Sequence, residues 1–319
     1  MAERSPERVE SALGHRSVTH AAVSAFGNMT GDRARLHFDH HFGRAHGGPI
    51  AHGLLNACWA VGALTLHAPE RMGVNEADAV FGEFSLRLEQ VVKVGDTLCL
   101  QVSDVEGDDA TAPPGARAQR SAFEMLNQDG ATTSSGQVTI WRGDPQPGAA
   151  PEVWVLEAAA PRPAGTALYA EDMLESGPRG MSAGRTLTES DVVAFATEVG
   201  ELNPSYLNAE FAKDSTDGAR IVPPMLTFCI GFADFLRALL ALPLSSSGFA
   251  GHVGDHWRRF APVYLGDTLQ TRFKPLSVRA SASRPERCVV HFGMQLVNQH
   301  ERVVQEGETI MLMPTGPDA

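Results

Sequence analysis

MTGDRARLHFDHHFGRAHGGPIAHGLL, residues 29–55, is the segment around which the rest of the chain is organised. It follows a helix-like segment and places a carboxylate, Asp32, and an imidazole, His37, on one short loop. A carboxylate and an imidazole at this spacing can both contact one water molecule. The turn PIAHG at 49–53 then opens a long apolar helix, whose first N–H groups lack partners within the helix and can stabilise a developing negative charge. The segment therefore indicates addition or removal of water next to a carbonyl.

The composition is typical of a soluble globular protein. The chain has 319 residues, of which 43% are hydrophobic and 20% charged, and this length allows two domains or one large one. Its formal net charge of −12 argues against a nucleic-acid partner. The first sixteen residues contain no apolar core, so we expect no secretory signal there. The apolar stretches 50–66 and 221–243 contain polar residues and are typical of buried helices, so we expect no membrane span.

The four cysteines are Cys58, Cys99, Cys229 and Cys288. Each lies alone in an apolar segment, and none forms a CxxC pair. Such cysteines are typical of reduced thiols in the core of a cytoplasmic protein, so we expect a cytoplasmic location.

A repeat dominates the organisation of the chain. Residues 17–42 match residues 186–211 at one constant offset, and the match resumes after two residues are inserted in the second copy. The matched pairs include Thr19/Thr188, Phe26/Phe195, Gly31/Gly200, Phe42/Phe211, Ile50/Ile221, Leu55/Leu226, Cys58/Cys229, Gly95/Gly266 and Asn127/Asn298. A register held across the whole of each half indicates that one unit has been duplicated.

Each half has the same order of predicted elements. A short amphipathic helix comes first, and in the second half Thr188 and Asp191 form a capping-box start. A polar loop follows, and then a helix that is apolar nearly all round, at 54–66 and 225–240. Strand-like segments, with GDTL at a strand start in both halves, lie near 81–103, 119–127, 135–142, 252–278, 286–297 and 302–313. This order indicates an α+β fold in which a curled antiparallel sheet surrounds a central helix.

The motifs resemble, as a set, those of the MaoC-like dehydratase and R-specific enoyl-CoA hydratase family. They comprise TGD-x4-H-x-D at 30–39, the PIAHGL helix start at 49–54 and GDTL in the strands. The resemblance implies a hotdog fold, and two copies resemble the double-hotdog members, in which one chain mimics a dimer of single hotdogs. We expect an N-terminal catalytic hotdog at 1–142, a linker at 143–180 and a degenerate C-terminal hotdog at 181–319.

The resemblance also implies an activity and three site residues. Family members hydrate trans-2-enoyl-CoA to (3R)-3-hydroxyacyl-CoA or run the reaction backwards. Asp32 and His37 match the catalytic aspartate and histidine, and Gly53 matches the glycine whose N–H receives the thioester oxygen. We therefore expect an acyl-CoA thioester substrate, with no cofactor apart from the coenzyme A that the substrate carries. The resemblance leaves a homodimer of double-hotdog chains open.

The chain departs from the family pattern at several positions. The family usually has Asn-Pro within the D-x4-H loop, and the first half has Ala-Arg at 34–35. The second half has Glu201 for the aspartate, Tyr206 for the histidine and Pro224 for the glycine. A proline has no N–H to donate, so the second half cannot build the same oxyanion site. We therefore expect one active site per chain, in the first half.

Two other functions stay open at this point. One is an acyl-CoA thioesterase, since the hotdog frame also hosts such enzymes. Resemblance to them would place Asp or Glu on the central helix, and residues 54–66 contain neither. The other is a non-catalytic protein that binds an acyl thioester. The sequence also leaves the acyl group open among linear, branched, dicarboxylic, steroid and polyketide types.

Histidines are frequent around the candidate site, at His37, His40, His41, His46 and His52. Their spacing matches no common zinc pattern, so we expect no metal there. We expect His40, His41 and His46 to be solvated and His52 to line the mouth of the site.

Overall fold

The computed structural model describes residues 15–44, 47–105, 112–144, 150–161, 163, 165–245 and 251–316. His46 and parts of the predicted domains and linker lie outside the described residues. The helices are α1 (His20–Thr30), α2 (Arg35–Phe38), α3 (His40–Gly43), α4 (Gly53–His67), α5 (Pro69–Met72), α6 (Met173–Ser176), α7 (Glu189–Val199), α8 (Pro204–Leu207), α9 (Ala209–Lys213) and α10 (Pro224–Leu240). The strands are β1 (His15–Ser17), β2 (Ala79–Leu88), β3 (Thr97–Val105), β4 (Ala116–Leu126), β5 (Thr132–Gly143), β6 (Gly180–Met181), β7 (Arg185–Thr186), β8 (Gly251–Arg259), β9 (Thr268–Ala280), β10 (Arg287–Val297) and β11 (Val303–Pro314).

These strands form one antiparallel sheet that runs through both halves. Its order is β1-β3-β4-β5-β2-β8-β11-β10-β9-β6, and β7 also pairs with β9. The four long strands of each half lie in the same order, and the halves join where β2 pairs with β8. This pairing runs from Glu83 opposite Arg258 to Arg87 opposite Gly254. One chain thus supplies both parts of a sheet that a single hotdog completes by dimerising.

The tight turns before β3 and β9 explain the repeated GDTL motif. GDTL begins a strand in both halves, as predicted, because β3 starts at Thr97 and β9 at Thr268. Gly95 and Gly266 have φ angles of 101° and 93°. A residue without a Cβ adopts this left-handed conformation at little cost. The glycine of each motif therefore makes the turn that leads into the strand.

The central helices α4 and α10 form the core of the molecule. Their bounds confirm the predicted apolar helices to within one residue at each end. They meet at positions related by the duplication, since the Sγ atoms of Cys58 and Cys229 lie 3.6 Å apart. A Cβ at Gly62 of α4 would lie 2.0 Å from the carbonyl oxygen of Val199 in α7, so α4 also packs closely on the second half. Among the described residues, no helix has both the length and the apolar character needed to cross a membrane.

Helices α1 and α7 lead directly into the two equivalent polar loops. The predicted capping box at the start of α7 is confirmed, with Thr188 and Asp191 exchanging hydrogen bonds. Both helices end at a glycine in the left-handed region, Gly31 with φ 89° and Gly200 with φ 79°. This conformation stops the helix and turns the chain, so that Asp32 follows directly at the base of the first loop.

Residues 150–161 contain no helix or strand, but hydrogen bonds and a cation–π contact hold them against the sheet of the second half. The backbone N–H of Trp154 donates to Gln295 Oε1 at 2.9 Å, and Arg272 donates to the Trp154 carbonyl at 3.0 Å. The Lys274 ammonium lies 4.3 Å from the centroid of the Trp154 ring, within the range of a cation–π contact. Further along the predicted linker, the chain forms a 3₁₀ turn at Ala170–Asp172 and then α6.

Candidate active site

The loop after α1 fixes the Asp32 carboxylate and leaves one of its oxygens available. The Asp32 N–H donates to Thr30 Oγ1 at 3.3 Å, and Asp32 Oδ1 accepts from the Ala34 N–H at 3.2 Å. An aspartate that binds the backbone two residues on holds its own turn. The residue is buried. Because Oδ1 is engaged by the backbone, Oδ2 is the oxygen that faces the site.

His37 presents one ring nitrogen to that oxygen. Its Nδ1 lies 2.9 Å from the carbonyl oxygen of Ile50, which can only accept, so Nδ1 carries the proton and donates it. The other nitrogen, Nε2, lies 4.0 Å from Asp32 Oδ2. One water can hydrogen-bond to both atoms across such a gap. The two side chains predicted from the sequence therefore face each other.

The local structure around His37 differs from the predicted loop. Residues 35–38 form one helical turn, α2, because the Asp39 N–H donates to the Arg35 carbonyl at 2.8 Å. The turn points the imidazole back towards the end of α1. His40 and His41 of the following α3 are exposed, as predicted.

His52 lies deeper than the mouth of the site, where the sequence predicted it. It does not line the mouth, because only 2% of it is exposed and its ring stacks on His37 with centroids 3.7 Å apart. Its Nε2 lies 3.1 Å from the Asp32 carbonyl oxygen. Burial, with a smaller effect of neighbouring His37, lowers the pKa of His52 to about 3. The neutral ring therefore packs against the His37 ring and contacts the Asp32 backbone, and so helps to hold both residues in position.

Gly53 is the first residue of α4. His52 before it has φ −66° and ψ 129°, so Gly53 opens the helix with its N–H unpaired by any acceptor among the described residues. A Cβ at Gly53 would lie 2.5 Å from Leu88 Cδ1, so a side chain there would displace Leu88. One turn later, the side chain of Asn56 is buried and its Oδ1 has no partner in the described chain. Asn56 was not predicted as a site residue from the sequence.

These groups line one cavity of about 480 Å³ between the two halves. The first half contributes the polar end, with Asp32, His37 and Gly53. The second half contributes a largely apolar wall from α10, β8 and β11, together with two arginines of the β9–β10 turn region. Those residues are Phe232, Leu236, Gly251, His252, Val253, Arg284, Arg287, Met311 and Leu312. A ligand that reaches the polar end therefore also contacts the second half.

Comparison with known proteins places the chain in a family. Residues 3–120 match the MaoC like domain, and residues 182–307 match the FAS1-like, dehydratase domain region. An (R)-specific enoyl-CoA hydratase of Rhodospirillum rubrum is 30% identical to this chain over 146 residues, which span 92% of that protein and 46% of this one. The chain belongs to the MaoC-like dehydratase family. A 3-hydroxybutyryl-CoA dehydratase of Methylorubrum extorquens is 29% identical over 141 residues, 78% of that protein and 42% of this chain.

The fold is a double hotdog. A conserved hypothetical protein of Mycobacterium tuberculosis, described as having a double hotdog fold, superposes with a TM-score of 0.66. The superposition covers 98% of this chain and 97% of that one at 18% sequence identity. The α+β double-hotdog fold expected from the sequence is confirmed.

The equivalent place in the second half of this MaoC-like chain is filled by protein. The cavity there is only about 10 Å³, lined in part by Tyr206, Asp217 and Arg259. Arg259, which the duplication relates to Leu88, forms a buried ion pair with Asp217 in this space. Pro224 replaces the N–H-bearing glycine, as the sequence indicated. The second loop therefore has no room for a substrate.

Glu201 stands in the second loop where Asp32 stands in the first. It is 1% exposed, so its carboxyl group is removed from solvent. Burial raises the pKa of Glu201 to about 8, although the neighbouring Tyr206 hydroxyl opposes this effect. A carboxyl group that is neutral and enclosed in this way does not act as a base towards a ligand.

A metal ion is a second possible occupant of this site, because one potential ligand atom from each of Asp32, His37 and His52 lies within 4.8 Å of the others. One hydrogen bond opposes metal binding. His52 Nε2 donates to the Asp32 carbonyl and so has no lone pair for a metal ion, whereas His37 donates from Nδ1 and keeps Nε2 unprotonated. The sequence-based expectation that this site holds no metal stays a prediction.

Proposed function

We propose that this chain is a hydratase/dehydratase that interconverts a 2-enoyl-CoA and the (3R)-3-hydroxyacyl-CoA, with one active site per chain, in the first half. The observation that carries the proposal is the 4.0 Å gap between Asp32 Oδ2 and His37 Nε2, inside a cavity that Gly53 also lines. The names of the two relatives, an enoyl-CoA hydratase and a hydroxyacyl-CoA dehydratase, support the same chemistry.

The reaction follows from the three groups. A water held between Asp32 and His37 forms its bond to C3 of the enoyl thioester as one of its protons passes to this pair. The C2–C3 double bond shifts its electrons towards the thioester oxygen, where the Gly53 N–H stabilises the negative charge. The Asp32/His37 pair then gives this proton to C2 of the enolate, which restores the pair. In the reverse direction the pair takes the proton from C2 and gives it to the departing hydroxyl. Neutral His52 keeps Asp32 and His37 in place.

The proposal requires no cofactor other than the coenzyme A of the substrate. It also favours hydration over thioester hydrolysis, since α4 carries no Asp or Glu to act on a thioester carbonyl. We infer a cytoplasmic location as well, because all four cysteines, which lie within the described ranges, are free thiols. A homodimer of such chains stays a prediction, which light scattering tests.

The experiment is an assay with a panel of 2-enoyl-CoAs of graded length. We expect loss of the absorbance of the conjugated thioester without release of free thiol, and the 3R product by chiral chromatography. Release of coenzyme A instead would identify a thioesterase. Binding of the panel without turnover would identify a non-catalytic acyl-thioester protein.

A further inference from the structure

A β-bulge in each half brings two side chains that are three positions apart to the same, inner face of the sheet. On β8, Val253 has no partner on β11, because Gly254 lies opposite Ile310 and His252 opposite Met311. Side chains three positions apart on a regular strand point to opposite faces, and one extra residue between them brings both to the same face. The bulge therefore places His252 on the inner face, together with the buried Asp255.

The two halves use this shared bulge differently. In the first half the extra residue is Gly82, and the positions equivalent to His252 and Asp255 are Phe81 and Phe84. Phe84 is fully packed in the core. The second half thus has a histidine and a carboxylate where its twin has two aromatic rings. Burying such a pair disfavours folding unless it is compensated, so packing alone does not account for it.

The pair is buried and its hydrogen bonding is incomplete. His252 Nε2 lies 2.8 Å from Asp255 Oδ2, an ion-pair contact that is not aligned as a hydrogen bond, and the Asp255 side chain is fully buried. Thr309 lies directly opposite Asp255 on β11, and its hydroxyl has no partner among the described residues. The His252 ring stacks on Phe232 of α10, with centroids 4.5 Å apart. Asp255 and Phe232 together fix the orientation of the imidazole.

His252 belongs to the wall of the 480 Å³ cavity that also contains Asp32 and His37. Its neighbours in that wall include Phe232, Leu236 and other apolar residues from the second half. Since Nε2 faces Asp255, Nδ1 is the ring atom available to a ligand. Nδ1 accepts from a hydroxyl when the ring is neutral and donates to a carbonyl or carboxylate oxygen when it is protonated.

We propose that His252, positioned by Asp255, binds an oxygen atom on the acyl tail of the substrate. The preferred substrates are then enoyl thioesters that carry a hydroxyl, oxo or carboxylate group beyond the reacting carbons. A plain hydrocarbon tail would leave the imidazole desolvated without a partner, which weakens binding. As a statement about substrates this rests on the proposed function, whereas the binding preference can be measured without turnover.

The test is isothermal titration calorimetry with saturated acyl-CoAs, which have no double bond to hydrate. Three ligands of equal chain length end in a methyl, a hydroxymethyl or a carboxylate group, and a further series moves the oxygen along the tail. We expect at least one oxygen-bearing ligand to bind roughly tenfold more tightly than the methyl ligand, the size of one hydrogen bond to a charged or buried group. Equal affinities across the series would overturn the proposal.

Variants of His252 and Asp255 test whether these residues cause the preference for an oxygen-bearing acyl tail. In His252→Phe/Asp255→Asn, phenylalanine keeps the stack on Phe232 and no unpaired charge stays buried, so we expect the ratio of affinities to fall to about one. The matched control is His256→Phe, the same substitution at an exposed position of β8, and it should keep the ratio. A preference that survives in the double variant would contradict the assignment to His252.

Asp255→Asn alone provides a second, milder variant that keeps the shape of the buried pair. It removes the negative charge next to His252 Nε2, so the contact that orients the imidazole weakens and the preference for an oxygen-bearing tail should fall. Unchanged preferences in this variant would contradict the role of Asp255. If tail oxygens improve binding but no enoyl-CoA is hydrated, the proposed function fails and this inference stands. If enoyl-CoAs are hydrated but no tail oxygen improves binding, the proposed function stands and this inference fails.

Discussion

Gly53→Pro removes one hydrogen-bond donor from the candidate active site and leaves the helix start intact. Proline is well tolerated at the first position of a helix, where its missing N–H has no intrahelical partner. The residue before a proline must be extended, and His52 already has φ −66° and ψ 129°. The second half carries this arrangement naturally, since Pro224 opens α10 after Pro223 with φ −52° and ψ 125°. The backbone of the variant should therefore be unstrained.

The substitution has one steric effect, which a control removes. A Cβ at position 53 lies 2.5 Å from Leu88 Cδ1, so any side chain there pushes on Leu88. Gly53→Ala introduces the same Cβ and keeps the N–H. The rate difference between the Pro and Ala variants therefore reports mainly on the donor.

The expected size of that difference follows from the role of the N–H. Loss of one oxyanion donor lowers kcat by roughly 10²–10³-fold, or about 2.7–4 kcal/mol of transition-state stabilisation. We therefore expect Gly53→Pro to turn over enoyl-CoA roughly 10²–10³-fold more slowly than Gly53→Ala, measured as initial loss of the conjugated-thioester absorbance. Thermal unfolding of both variants checks that they are folded. Equal kcat values in two folded variants would refute the oxyanion role of Gly53.

Three further predictions concern the acid, the second loop and metal. Asp32→Asn should lower kcat by roughly 10²–10⁴-fold, the size of a general acid–base contribution. Asp39→Asn alters the cap of α3 and the ion pair with Arg35 but no residue of the cavity wall, so it should stay close to wild type in the same assay. Glu201→Gln should stabilise the fold increasingly as pH rises from 4.5 to 8. The buried carboxyl stays protonated to about pH 8, while the unfolded chain ionises near pH 4.5, so the wild type loses up to about 1.4 kcal/mol per pH unit in that window. Urea unfolding at pH 5 and pH 7.5 measures this, and an equal difference between the two proteins at both pH values would contradict it. Dialysis against EDTA should leave the hydration rate unchanged, because His52 Nε2 already donates to the Asp32 carbonyl and has no lone pair for a metal ion. Metal found in the purified protein by elemental analysis, together with activity lost on dialysis, would contradict this prediction.

The sequence predicted the parts of this molecule that depend on local pattern. The bounds of α4 and α10 and the capping box of α7 follow from spacing within short segments, and the duplication follows from a register held across each half. Asp32 and His37 could be paired because only four residues separate them and the chain between them is short. The facing geometry of this pair is thus a local consequence of how α1 ends.

Other parts depend on packing between segments far apart in the chain. His52 is buried because His37 stacks on it, and a sequence pattern gives no sign of that contact. The burial of Asp255 depends on a bulge, whose position needs the pairing of β8 with β11. Arg259 and Asp217 meet in the second loop although 42 residues separate them. Each of these features requires knowledge of which surfaces come together in three dimensions.

The pairing of β2 with β8 within one chain has a consequence for how the two halves can change. In a dimer of identical chains, every substitution appears in both subunits, so a loss in one site is a loss in the other. Here the covalent link lets one copy keep the reactive groups while its twin has Glu201, Tyr206 and Pro224 in their places. It also keeps the two copies together at any dilution, so their association does not depend on protein concentration.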